Sequence, residues 1–255
     1  MVKRSSWSIT QAWKRAWEGL WLGLGLSLCL AGSVSAQVLS DSGAPARSPE
    51  KLTPLPVVQS AQRQRDFVFL DKPIRATPGR IEVLVFFWYG SPWAKEIEPY
   101  VRQWQESGQM PARVRVQWVP VVLDFNDPKW GVAARVFYAL QKLGKEHALR
   151  HRFMVAVQSG IVDLGSPRSI SRWMEEQGIT QAQFDAAIND PLVIAQVSRL
   201  PQIQRQYEIK STPTFVLMGE MKVESNEARP AQKATAIMMF MANQLNQGVD
   251  SQSIK

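Results

Sequence analysis

The chain has 255 residues, of which 45% are hydrophobic and 20% charged. It is long enough for a full-sized core and too apolar to be disordered or collagen-like. Its net charge of +8 and its single cysteine, Cys29, need placing along the chain before either is given a meaning, but one cysteine already excludes an internal disulfide.

The first residues read as an address. Lys3, Arg4, Lys14 and Arg15 precede an apolar run from Leu20 to Leu30, and Val34-Ser35-Ala36 follows with small residues at cleavage spacing. This is the order of a secretory signal over residues 1–36. The apolar run is short for a bilayer span, so no permanent membrane span is expected. Leu28 before Cys29 does not suit lipoprotein cleavage. Removing this segment leaves 26 basic against 21 acidic residues, a mild +5, with no basic-aromatic interleaving of the kind nucleic acid requires. It also leaves no cysteine at all. Arg63, Arg65, Arg150 and Arg152 read as solvated faces.

Residues 37–62 carry four prolines and read as a tether. Asp66–Asp71 is a short strand candidate. Ile81–Tyr89, almost continuously apolar, predicts a strand buried on both faces. Ser91-Pro92 is a helix start, and Trp93, Ile97, Tyr100, Val101 and Trp104 then recur at helical spacing. Arg113–Phe125 predicts a further strand, with Val114, Val116 and Trp118 on one face. Residues 127–190 read as four helices: Lys129–Leu143, Glu146–Gln158, one opened by Ser166-Pro167, and one opened by the capping box of Thr180 and Gln183. Another helix covers Pro191–Glu208. Thr214–Met218 and Met221–Glu224 read as a hairpin, and Pro230 opens a last helix whose face includes Ala234, Ile237, Met238, Met241 and Leu245.

This order, with the segment Phe86-Phe87-Trp88-Tyr89-Gly90-Ser91-Pro92-Trp93-Ala94, the later Thr212-Pro213, Phe137–Gly144 and Arg172-Trp173, resembles the DsbA family of periplasmic thiol-disulfide oxidoreductases. The resemblance covers about Asp66 to Leu245. It implies an α/β fold: a thioredoxin domain in two parts, 63–126 and 191–247, around a helical insertion at 127–190, with a tail at 248–255. It also implies periplasmic localisation, a cis-proline loop at Thr212-Pro213, and an active site at Ser91, Pro92, Trp93 and Ala94. There the family carries Cys-Pro-His-Cys; here Ser91 stands for the nucleophile and Ala94 for the resolving cysteine. Val85 takes the place of an acid that many members carry beneath the dithiol. Disulfide exchange needs a thiolate, which neither serine nor alanine supplies.

The expected protein is therefore a relative without redox chemistry and without a cofactor. Its candidate peptide-binding residues are Trp93, Thr212 and Pro213, since strand addition needs no cysteine. The expected partner is an unfolded or extended polypeptide, or a dedicated periplasmic protein docked elsewhere; thiol-disulfide interchange is the activity family resemblance alone implies. Trp93 stands either as an aromatic platform or as the start of its helix's buried stripe. A serine nucleophile would need a base, and the only histidines are His147 and His151. Those two share a helix face but lack a third metal ligand and sit among Lys145, Arg150 and Arg152. Met238, Met239 and Met241 read as core.

Overall fold

The computed structural model describes residues 52–254 apart from Gln64 and Arg75, so the expected signal segment, Cys29 and most of the tether lie outside the described residues. A five-stranded sheet runs in the order β1-β5-β4-β2-β3. Its strands are β1 (Val68–Phe69), β2 (Ile81–Phe87), β3 (Val114–Pro120), β4 (Thr214–Leu217) and β5 (Met221–Glu224). β2 and β3 are parallel, joined by the crossover helix α1 (Pro92–Glu106) as parallel pairing requires. β2 pairs antiparallel with β4, and β4 with β5. β5 in turn pairs antiparallel with β1. The hairpin between β4 and β5 turns at Gly219, with φ +67°, where a Cβ would meet the Ile74 carbonyl oxygen at 2.0 Å. Only glycine fits there.

Both long strands end sooner than their apolar runs. β2 stops at Phe87, because the next three residues turn toward α1. β3 ends at Pro120, and one further ladder bond follows, Val121 N–H donating to the Phe87 carbonyl at 2.9 Å, before the chain leaves the sheet. Beyond it, the Gln204 side-chain amide stands in for a strand: Val122 N–H donates to Gln204 Oε1 at 2.7 Å and Gln204 Nε2 donates to the Val122 carbonyl at 2.8 Å.

The insertion comprises α2 (Pro128–Lys142), α3 (Glu146–Gln158), α4 (Pro167–Glu176) and α5 (Gln181–Ile188), followed by α6 (Pro191–Gln206). Asp127, Ser166 and Asp190 cap α2, α4 and α6 ahead of a proline at the first helical position, and Thr180 with Gln183 forms the expected capping box. The final helix, α7 (Ala231–Asn246), packs on α1 and on β2, β4 and β5. Met238 and Met241 are fully buried there as expected, while Met239 is half-buried.

Aromatic rings carry the sheet's core into the insertion. Phe87 makes edge contacts with Tyr89, Trp118 and Phe137 at centroid distances of 5.1, 5.2 and 5.5 Å. Tyr89 meets Phe153 of α3 at 4.7 Å, and Phe153 meets Trp173 of α4 at 5.0 Å. Such edge-to-face pairs add to the gain from burial.

A charged cluster lies beside this apolar seam, and it corrects the sequence reading of Arg150. That residue is 2% exposed, not on a solvated face. Its guanidinium lies 4.4 Å above the Trp118 ring and donates to both carboxylate oxygens of Glu146, at 2.5 and 2.9 Å. It also donates to Glu98 of α1 at 3.4 Å. Glu98 is itself fully buried; it accepts from Arg102 at 2.6 Å, and His151 Nδ1 lies 3.3 Å from its other oxygen. Arg102 also donates to the His147 carbonyl at 2.6 Å. The cation is thus desolvated only where carboxylates and an indole face replace water.

Burial alone would raise the Glu98 carboxyl, but the contacts with His151 and Arg102 and the charge of Arg150 outweigh it and hold the group below its ordinary value. A depressed native pKa contributes stability that is present above the unfolded-state pKa and is lost as pH falls through the native one. The urea midpoint of the wild type should therefore fall on acidification through and below the normal carboxylate range, more steeply than that of Glu98→Gln. Arg150→Ala, which strands Glu98 beside an unfilled gap, should cost about 3–5 kcal/mol in urea unfolding at pH 7.

Candidate functional site

β2 leads straight into the site. Past Phe87 the chain turns through Trp88, Tyr89 and Gly90 and enters α1 at Pro92, and Ser91 N–H donates to the Trp88 carbonyl at 3.0 Å. Gly90 has no side chain because none fits: a Cβ would lie 2.4 Å from the Trp88 ring. That ring stacks on Trp130 of α2 at 4.1 Å and 13°.

Ser91 caps α1 as the sequence predicts. Its Oγ accepts from Ala94 N–H at 3.3 Å. The same hydroxyl donates to the Thr212 carbonyl at 3.3 Å, so one buried oxygen joins segments 121 residues apart. The Thr212-Pro213 peptide bond is cis, and Pro213 is buried. Thr214 Oγ1 donates to the Ser211 carbonyl at 2.9 Å, and the Pro213 carbonyl accepts from Ser225 N–H at 3.2 Å. Thr212 N–H has no hydrogen-bond acceptor among the described residues. Thr212 is half-buried, in the bend that leads into β4.

Trp93 resolves to one side of the sequence reading. It is 38% exposed, outside the buried stripe that Ala94, Ile97, Tyr100, Val101 and Trp104 form on α1. Ala94 is fully buried, and so is Val85, between Phe215 of β4 and Trp118 of β3. An apolar residue there places no desolvated charge in the middle of the sheet.

The histidines are not near this turn's hydroxyl chemistry. His147 Nε2 lies 3.0 Å from Glu106 and His151 contacts Glu98, so each faces a carboxylate of α1 rather than Ser91. Among the described residues no group of three or more His, Cys, Asp or Glu side chains is placed to hold a metal. Ser91 Oγ donates to a backbone carbonyl and has no imidazole beside it, so the arrangement that activates a serine nucleophile is not built here.

Sequence reasoning missed Gln158, the last residue of α3. Its Nε2 donates to the Tyr89 carbonyl at 2.8 Å and to the Ser91 carbonyl at 2.9 Å. The only signal was a polar residue ending a helix, which is ordinary.

The geometry and the comparisons agree on the class. The family model described as the DSBA-like thioredoxin domain matches residues 82–237, and the chain belongs to that family. It is 25% identical over 165 residues to the thiol:disulfide interchange protein DsbA of Pseudomonas aeruginosa, covering 64% of this chain and 76% of that protein. It is 29% identical over 160 residues to the protein of the same name in Bordetella parapertussis, covering 62% and 74%. The crystal structure of Pseudomonas aeruginosa DsbA superposes with a TM-score of 0.65 at 22% identity, over 73% of this chain and 95% of that one. The oxidoreductase NmDsbA3 from Neisseria meningitidis superposes with a TM-score of 0.60 at 22% identity, over 73% and 98%. The fold is thus thioredoxin-like with a helical insertion, and the one cysteine of the chain, Cys29, lies outside the matched residues 82–237.

Ser91→Ala removes the acceptor for Ala94 N–H and should lower stability by about 1 kcal/mol in urea unfolding, the usual cost of an N-cap.

Proposed function

We propose that this chain is an exported, periplasmic member of the family that binds extended polypeptide without exchanging disulfides. The observation that carries the reading is that Ser91, whose Oγ reaches the Thr212 carbonyl, is followed two residues on by an exposed Trp93, while Thr212 N–H has no acceptor among the described residues; the proposed groove is the surface these residues share. Main-chain hydrogen bonds to Thr212 supply affinity without demanding a sequence, and the indole adds apolar area beside them. The chemistry supports the same division. Residues 37–255 contain no sulfhydryl, and a serine hydroxyl does not ionise at neutral pH to attack a disulfide. No helix among the described residues is long and apolar enough to cross a membrane.

A second reading has its own observation. Leu192, at the start of α6, is 71% exposed, an apolar side chain that a dedicated periplasmic protein could cover. Stoichiometric capture of one protein from periplasm, insensitive to Trp93→Ala, would favour docking over the groove.

The groove reading predicts that calorimetry with unfolded, cysteine-free peptides gives measurable affinity, reduced roughly tenfold by Trp93→Ala and at least as much by Thr212→Arg. Unchanged affinity in both variants removes the groove as the site. Insulin reduction and dithiol oxidation by residues 37–255 should run at background rates. The double replacement Ser91→Cys with Ala94→Cys should restore partial turnover on this scaffold; turnover by the unaltered protein would refute the division.

A further inference from the structure

Gly90 itself has no side chain to hold the backbone of the turn, and the orientation of that backbone sets whether the Ser91 hydroxyl reaches Thr212. The brace comes from the insertion. One amide nitrogen, Gln158 Nε2, donates both hydrogens, one to each carbonyl flanking Gly90. We propose that Gln158 is a positioning residue for the groove, and that α3 is the strut that carries it. The proposal rests on the groove reading for its role in binding, but not for its geometry.

The strut is fixed at its far end by the Glu98 cluster. Arg150 is held between Glu146 of its own helix and Glu98 of α1, and Arg102 of α1 holds the His147 carbonyl. From His147 to Gln158 the helix is about 16 Å long at ordinary rise. A helix held at both ends cannot slide at Gln158 without breaking buried ion pairs at the other. Phe153, between the two ends, is fully buried against Tyr89, the residue whose carbonyl Gln158 holds. Side chain and backbone of the turn are thus held by the same helix, five residues apart.

The chemistry of the fork is also specific. Two carbonyl oxygens converge on one nitrogen, so the group between them must be a neutral or cationic double donor. A carboxylate of the same length would offer no hydrogen and would set negative charge against both oxygens and against the C-terminal end of α3. Its protonated form would recover one donor.

The test uses Gln158→Leu and Gln158→Glu, read by amide hydrogen exchange in the free protein and by affinity for a cysteine-free, valine- and leucine-rich peptide. The Ala94 amide, bonded to Ser91 Oγ, reports the turn. In Gln158→Leu its protection factor should fall on the order of tenfold, the size expected from losing about one net hydrogen bond, while Val85 and Val216 in the sheet keep theirs. In Gln158→Glu, Ala94 protection and peptide affinity, each as a ratio to wild type, should be depressed at pH 7.5 and recover toward pH 4.5. A residue that only filled space would give no such pH-dependent ratio. Unchanged Ala94 protection in both variants, an equal loss across the sheet, or a ratio indifferent to pH would overturn the proposal. A wild type that binds no peptide would sink the groove reading, and Ala94 protection would still decide whether Gln158 sets the turn.

Discussion

The buried carboxylate of Glu98 is the constraint from which the rest of the site follows. A charge taken out of water persists only where other groups solvate it, and here those groups come from both its own helix and the insertion. Arg150 cannot leave Glu98 without exposing the acid to a low-dielectric gap, so α1 and α3 are held in one relation. α1 begins at the site and α3 ends at it. The helix that starts with Ser91 and the helix that ends with Gln158 are therefore fixed to each other well away from the turn they share.

The apolar seam does complementary work. Phe87, Tyr89, Phe153 and Trp173 form a row of ring contacts from the sheet through α3 to α4. Area burial gives that row its strength but little directional preference. The ion pairs and the Gln158 fork add direction. Together they explain how an insertion of four helices can hold a backbone turn in the sheet domain, although only one of its side chains touches the carbonyls there.

Much of this was legible in the residues. Ser followed by Pro marked the starts of α1 and α4, because the capping oxygen and the ring's fixed φ act locally. β2 was legible as a two-sided buried strand, although its apolar run continues into Trp88 and Tyr89, which leave the sheet to pack on the insertion. Trp93 was ambiguous because helical spacing cannot place the edge of a stripe. Arg150 and Glu98 were not legible: arginine and glutamate on amphipathic helices read as solvated, and only the docking of α3 on α1 makes them each other's solvent. Gln158 and Gln204 were missed for the same reason. A lone glutamine carries no periodicity, and its partners lie about 70 and 80 residues away.

The Ser91 hydroxyl has a consequence for how two distant segments are joined. Its proton points at the Thr212 carbonyl, so the two segments attract. A thiolate in that position would have no proton to give and would set negative charge against the same oxygen. Oxygen at this position thus does more than lack a thiolate's reactivity: it closes a clasp between two distant segments of the chain that a thiolate would tend to hold apart.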